Sequence, residues 1–344
     1  MSEIFSRKDS HLALCVGEDV EHRRTTLLEE VELLHDALPE LALEQVDLST
    51  RLFGRLLAAP LLIAGMTGGT PEAAAVNRDL AAAAQKCGLG MGLGSQRAML
   101  LRPEMAASYR VRDVAPEILV LANLGVVQAR ESGVARVAEL VEAVGADALC
   151  VHLNPAQELV QAQGDRDFRG SLETLAALAA ELPVPVIAKE TGCGLGPGTL
   201  ERLRAAGIEW VDVSGAGGTT WTGVESLRGP ESQRALGEEL REWGIPTAAS
   251  VIYARRAGLS VIASGGIRGG LDAARALALG AEAAAAALPF LRARAEAGVD
   301  GVLAAAERFV AALRAVALLT GSRNAAELRR ARHLLGPRLR AWIE

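Results

Sequence analysis

Side chains able to bind anions, carry protons or ligate a cation recur at one kind of place in this chain, directly after a short apolar run. In order they are Met66-Thr67, Ser95-Gln96-Arg97, Asn123, His152 through Glu158, Lys189-Glu190, Ser214 with Gly217-Gly218-Thr219-Thr220-Trp221, and Gly265-Gly266. Burying polar groups costs free energy unless they are paired, so a full row of them suits a ligand-facing surface better than a structural wall. The last member stands out. In Ile262-Ala263-Ser264-Gly265-Gly266-Ile267-Arg268-Gly269-Gly270 an apolar run ends in paired glycines, with a helix expected near Leu271. Amides exposed there, at the positive end of a helix dipole, form a seat for a phosphate.

Three other candidates carry charge. Lys189 ends the apolar run Pro185-Val186-Ile187-Ala188. It could serve as a Schiff-base amine, offset electron density on a flavin or phosphate, or simply snorkel to the rim. Glu158 is the best metal candidate. One carboxylate does not hold zinc but can anchor a Mg²⁺ that also binds water and substrate phosphate; the alternative is a loop cap. Arg7, Lys8 and Arg97 could clamp a second phosphate, or be solvated. The five histidines form no HxH or HExxH pair, and Cys15, Cys87, Cys150 and Cys193 form no CxxC, which excludes a zinc site and a disulfide framework. Cys87 and Cys150 read as inert core residues, and Cys193, between two glycines, as a loop thiol open to solvent.

The elements that must position these groups follow from periodicity. Apolar runs at Pro60–Ala64, Leu89–Leu93, Ile118–Ala122, Ala148–His152, Val184–Lys189, Trp210–Val213, Ser260–Ala263 and Ala283–Ala287 alternate with helical segments such as Pro71–Gln85, Gln128–Val144, Ser171–Leu182, Gly198–Ala206 and Leu271–Leu279. Eight runs buried on both faces imply a parallel sheet, and right-handed crossovers close eight such units into a (β/α)8 TIM barrel. An open doubly wound sheet fits less well, because Gly65-Met66-Thr67-Gly68-Gly69-Thr70 is not GxGxxG. The reading is one domain over 1–344: an N-terminal extension (1–59) with a helix-like acidic stretch from Leu27 to Leu38, the barrel (60–298), and closing helices (299–344). The longest loops, Asn154–Gly170 and Gly215–Pro230, are expected to carry function.

Composition narrows the class. Half of the 344 residues are apolar and only 3% aromatic, which favours close packing through small side chains. A net charge of −6 argues against a nucleic-acid partner. No apolar run reaches the roughly 18 residues of a membrane span, and Met1 to Lys8 lacks a signal-peptide core, so a cytoplasmic protein with no membrane partner is expected.

The set Arg7-Lys8-x-x-His11, Gly65-Met66-Thr67-Gly68-Gly69, Gly94-Ser95-Gln96-Arg97, Asn123-Leu124-Gly125, His152-x-Asn154-x-x-Gln157-Glu158, Lys189-Glu190-x-Gly192-x-Gly194, Gly215-Ala216-Gly217-Gly218-Thr219 and Ser264-Gly265-Gly266-Ile267-Arg268 closely resembles type 2 isopentenyl diphosphate isomerase. His-x-Asn-x-x-Gln-Glu is its most distinctive part. The match runs from Arg7 to about residue 290 in the family's order, and the tail after 299 carries no matching motif.

The resemblance implies an FMN enzyme that interconverts isopentenyl and dimethylallyl diphosphate without net redox, its flavin reduced by NADPH. It implies that Gly65, Met66, Thr67, Ser95, Asn123 and Lys189 contact the flavin, and that Ser214 and Thr219 help hold it. Gly266, Ile267, Arg268, Ala287 and Leu288 would bind its phosphate. Arg7, Lys8, Ser95, Gln96, Arg97 and Gln157 would bind the substrate diphosphate, Glu158 would hold Mg²⁺, and His152, Asn154 and Gln157 would form the catalytic side. A homo-oligomer, tetramer or octamer, is also implied, leaving Arg7-Lys8 either over their own barrel mouth or over a neighbour's. Two competing readings remain. An FMN-dependent 2-hydroxy-acid oxidase needs a late His–Arg pair, whereas Asp212-Val213-Ser214-Gly215-Ala216-Gly217 has no histidine and the only late one is His333. A non-catalytic phosphate-binding barrel would not need the intact polar row.

Overall fold

The computed structural model describes the backbone from Ser2 to Glu344 and side chains from Lys8 onward. Eight parallel strands close into a barrel: β1 (Leu61–Ile63), β2 (Gly90–Gly92), β3 (Val120–Gly125), β4 (Ala148–His152), β5 (Val186–Lys189), β6 (Trp210–Asp212), β7 (Ser260–Ala263) and β8 (Ala283–Ala286). Each pairs with the next, and β8 closes on β1 through Ala284 opposite Leu61. Every expected apolar run therefore overlaps a strand. The third runs further than expected, to Gly125, which takes Asn123 into the wall beside Cys150 of β4.

Small residues make this closure possible. β8 is four alanines and β2 is Gly-Met-Gly, so neighbouring chains and outer helices approach closely. Inside, Leu62, Leu121, Cys150, Ile187, Ile262 and Ala285 fill the lower barrel. A hairpin of Thr50–Leu52 with Arg55–Leu57 plugs the bottom, with Leu52 and Leu57 in that core and Phe53 edge-on to Trp210, ring centres 4.6 Å apart. Burial pushes the Cys150 thiol up to about 12, consistent with an inert core residue. Cys87 is only half-buried, at the end of its helix.

The helices fall where the periodicity puts them, as Pro71–Cys87, Val126–Ala143, Ser171–Glu181, Pro197–Ala205 and Gly270–Ala278. The first shows why: Pro71 opens it, the Thr70 hydroxyl accepts the Ala73 amide at 3.1 Å, and left-handed Gly88 ends it.

Two expectations at the ends need correction. Leu27–Leu38 is not helical; a single 3₁₀ turn at Leu28–Glu30 leads into a strand at Val31–Leu33, paired antiparallel with His333–Leu335 near the far end of the chain. A partner some three hundred residues away overrides local helical character. For the same reason the tail is not purely helical. A helix Leu288–Leu319, kinked at Ala297-Gly298, is followed by a short helix, that strand, and a last helix Pro337–Ile343. The N-terminal residues, given no element from sequence, form a helix, Ser2–Gly17. Among the described residues no helix is long and apolar enough to cross a membrane.

Candidate active site

A cavity of about 220 Å³ opens at the carboxyl ends of the strands. Its β7–β8 side is a cradle of backbone. Gly265 and Gly266 have φ of +94° and +72°, a region closed to most side chains. The loop after β6 lies against them so tightly that a Cβ on Gly218 would sit 2.3 Å from the Gly266 nitrogen. Arg268 borders the cradle, ion-paired to Glu21, which also takes Arg292 at 3.1 Å.

The rest of the cavity wall carries polar groups. Lys189 reaches Asp212, its neighbour on β6, at 2.9 Å, and the Ser264 hydroxyl donates to the same carboxylate at 2.5 Å. A lysine tied this way serves as a fixed positive charge. The Asn123 amide donates to the Leu93 carbonyl at 3.0 Å, which leaves its oxygen to accept from His152 Nδ1 at 2.8 Å. Nε2 then carries the lone pair. Burial, then the charges of Lys189, Lys8 and Arg97, hold this imidazole down at about 3, so it is neutral. Among the described residues the buried Thr67 hydroxyl has no hydrogen-bond partner, and it lines the cavity.

Opposite the cradle, the helix Pro155–Val160 follows β4 and presents Gln157 and Glu158. Glu158 is buried; it accepts the Asn154 amide at 3.0 Å and the Asp165 backbone amide at 2.7 Å. Gln157 is held at both ends, accepting from Asn154 at 3.3 Å and donating to Glu225 at 3.3 Å. Glu225 also takes His11 and Arg228, each at 3.0 Å. Burial pushes the Glu225 carboxyl up, but hydrogen bonding and charge from His11, then Arg228 and Gln157, outweigh it and hold the group below its ordinary range.

The helix Ser2–Gly17 lies over the mouth of its own barrel, where Lys8, His11, Leu12 and Cys15 line the cavity. Gly65, Met66, Thr67, Ser95, Arg97, Asn123, His152, Asn154, Gln157, Glu158, Lys189, Ser214, Thr219, Gly266, Ile267, Arg268, Ala287 and Leu288 line it too. Gln96 does not. It is buried in the wall, where its amide donates to Leu140 O at 3.2 Å and accepts from the Asn123 backbone at 3.0 Å, so its side chain has a structural role there. The Arg7 side chain lies outside the described residues. Glu190 turns into its own loop and accepts three successive amides, of Thr191, Gly192 and Cys193; burial still pushes it up to about 7. Cys193 is half-buried rather than open, and burial, then Glu190, push its thiol up.

Sequence reasoning missed Glu225, Gln128 and Gln161. It also missed Asp212 as the partner of Lys189, although the two occupy matching ends of adjacent strands. Among the described residues no group of three or more His, Cys, Asp or Glu side chains could hold a metal.

The orphaned Thr67 hydroxyl, the fixed Lys189 charge and the glycine cradle fit a flavin mononucleotide laid across the strand ends, phosphate at β7–β8. The site and fold define an FMN-binding barrel, and the profile of the FMN-dependent dehydrogenase family matches residues 128–334. A solved mandelate oxidase variant with an FMN adduct superposes at a TM-score of 0.66 over 95% of each chain; at 20% identity this likeness speaks to the fold alone. More specific are two proteins named isopentenyl-diphosphate delta-isomerase. That of Synechococcus sp. is 48% identical over 96% of both chains, and that of Thermococcus onnurineus 43% identical over 98% of this chain and 93% of its own. The chain belongs to the isopentenyl-diphosphate delta-isomerase family, in its FMN-dependent form.

Proposed function

We propose that this enzyme converts isopentenyl diphosphate reversibly into dimethylallyl diphosphate, with its FMN reduced by NADPH and Mg²⁺ on the substrate diphosphate. The observation that carries the reading is the division of the cavity. One wall, at β7–β8, is an anion cradle that suits the cofactor phosphate; Gln157 and Glu158, after β4 on the far side, and the cations Lys8 and Arg97, at the rim by the loops after β1 and β2, suit a diphosphate. The space between holds neutral His152 and the Lys189–Asp212 pair.

When bound, reduced FMN supplies an electron-rich ring beside the alkene and ring nitrogens able to exchange protons with it. The protein does the rest. Gly266, Ile267, Arg268, Ala287 and Leu288 hold the cofactor phosphate, and Met66, Thr67, Asn123 and Lys189 orient the ring. Lys8 and Arg97 neutralise the substrate's negative charge, and Glu158, pinned by Asn154 and the Asp165 amide, offers one carboxylate to Mg²⁺. Gln157, fixed by Asn154 and Glu225, presents an amide of set orientation to the reacting end. Moving a double bond passes through developing positive charge on carbon, which preorganised dipoles in a dry pocket stabilise best. His152, neutral and anchored at Nδ1, supplies such a dipole without adding a competing positive charge.

Anaerobic incubation with FMN, NADPH, Mg²⁺ and isopentenyl diphosphate is expected to give dimethylallyl diphosphate only when the flavin is reduced, without stoichiometric NADPH loss. Gln157→Ala and Glu158→Ala should each cut turnover by at least about a hundredfold while FMN stays bound. Wild-type turnover in both variants would remove the substrate-site assignment.

A further inference from the structure

The loop after β1 contains Gly68-Gly69, and the reason for Gly68 is not a phosphate. A Cβ on Gly68 would lie 1.9 Å from Cε1 of Tyr109, whose ring fills the space a side chain would need. Tyr109 is fully buried just beyond the 3₁₀ turn Pro103–Ser108. Its backbone is fixed by its neighbours: the Ser108 hydroxyl accepts the Gly69 amide at 2.8 Å, and the Asn77 side chain donates to the Ser108 carbonyl at 2.9 Å and to the Thr67 carbonyl at 3.3 Å. A buried phenol needs partners for its oxygen. This one donates to the Ser95 carbonyl at 2.7 Å and accepts from Lys8 Nζ, also at 2.7 Å. Lys8 donates to the same Ser95 carbonyl at 2.8 Å, which closes a triangle of three polar atoms. The ammonium stands 5.2 Å from the Tyr109 ring centre, adding cation–π attraction.

We propose that Tyr109 is a positioning residue of the diphosphate site. Its hydroxyl and the Ser95 carbonyl hold the Lys8 ammonium at the cavity rim, so that the charge meets the substrate in a fixed place. An ammonium on a four-carbon stem has three N–H bonds and many rotamers. Hydrogen bonds to Tyr109 and Ser95 restrict which of these it takes. The same contact docks the helix Ser2–Gly17 on the loops after β1 and β2, beside a second tie in which Thr70 donates to Asp9 at 2.7 Å. Tyr109 thus links a cation supplied by the chain's first helix to the barrel wall, acting on the substrate only through Lys8. The inference rests on the reading of the rim as the diphosphate seat.

The test is Tyr109→Phe in the FMN-loaded, reduced enzyme, because phenylalanine keeps the ring against Gly68 and removes only the oxygen. KM for isopentenyl diphosphate should rise about three- to tenfold with kcat within about twofold, and inhibition by inorganic pyrophosphate should weaken by the same factor. FMN affinity should not move. Lys8→Met should cost clearly less in the Tyr109→Phe background than in the wild type, because the two residues act as one unit. An unchanged KM, equal cost of Lys8→Met in both backgrounds, or a loss of FMN and kcat together would overturn the assignment and leave Tyr109 a packing residue. Were the variant too unstable for kinetics, Lys8→Gln with Tyr109 intact should reproduce the pyrophosphate effect; if it does not, the assignment is also wrong. A wild-type enzyme that neither isomerises nor is inhibited by pyrophosphate would refute the diphosphate reading itself, a result separable from failure of Tyr109→Phe alone.

Discussion

His152 shows how surroundings choose a role for a side chain whose type suggests another. A histidine beside a reacting centre invites a general-acid reading, yet this one is half-buried in the cavity wall, faces Lys189, Lys8 and Arg97, and donates its Nδ1–H to the Asn123 side-chain oxygen. Desolvation and the three cations oppose protonation. The expected outcome is that ¹⁵N resonances of His152 show the neutral ring throughout pH 5–8, and that the pH–rate profile has no limb belonging to it. The sign for stability follows. With a folded pKa near 3 against about 6.5 unfolded, the unfolded chain binds more protons between those values. The contribution is fully present above about 6.5 and lost as pH falls toward 3, at up to roughly 1.4 kcal/mol per pH unit. A His152 titration near 6.5 would mean a wet, open pocket and would undo the argument for a dry one.

At the scale of elements, the site is a set of loops held by backbone contact rather than by side chains. The loops after β6 and β7 touch where Gly218 meets Gly266, and the segment before the barrel closes over both: His22 donates its amide to the Gly218 carbonyl at 2.8 Å, and Ala248 donates to the Thr26 carbonyl at 3.0 Å. Gly218→Ala is therefore expected to push the two loops apart and weaken FMN binding at least about tenfold, with smaller change in global stability, since the collision is at the rim. Fluorescence titration of the apoprotein with FMN would check this; unchanged affinity would show that the cradle yields without cost. This scale also explains what the sequence made legible. Barrel strands are short, apolar and bounded by glycine or polar residues, so Ile187-Ala188-Lys189 or Ala148 to His152 announce themselves locally. So do the polar groups at their ends. Glu225 and Tyr109 did not, because one sits in the six-residue helix Trp221–Ser226 and the other just past a 3₁₀ turn, segments too short to show a period, and each takes its meaning from Gln157, His11 or Lys8 far along the chain. That the Gln96 side chain turns into the wall was hidden for a related reason: position after a strand fixes the loop but not which way a side chain turns.

At the scale of the whole molecule, the two ends of the chain brace the cofactor side of the barrel. Val31–Leu33 pairs with His333–Leu335, the Gly336 amide donates to the Glu30 carbonyl at 2.7 Å, and Arg338 pairs with Glu30 at 2.7 Å and Glu29 at 2.6 Å. Arg275, from the helix after the glycine cradle, donates to the Val31 carbonyl at 3.1 Å. A few residues back, Thr26 packs behind that cradle, where a Cβ on Gly266 would meet its methyl at 2.3 Å, and Glu21 holds Arg268. The tail thus reaches the phosphate seat through one strand and one arginine. Chain ending after Arg332 should lose the burial of Leu339, about 2–4 kcal/mol, together with the strand pair, whereas the exposed Arg338 pairs should contribute little. FMN affinity should fall as well, although no deleted residue touches the cavity, because the segment behind Gly266 would lose its anchor. Urea denaturation and FMN titration of the truncated protein separate the two effects. A loss of stability with FMN affinity intact would show that the barrel alone holds Thr26 and Glu21 in place, and that the tail serves only the fold.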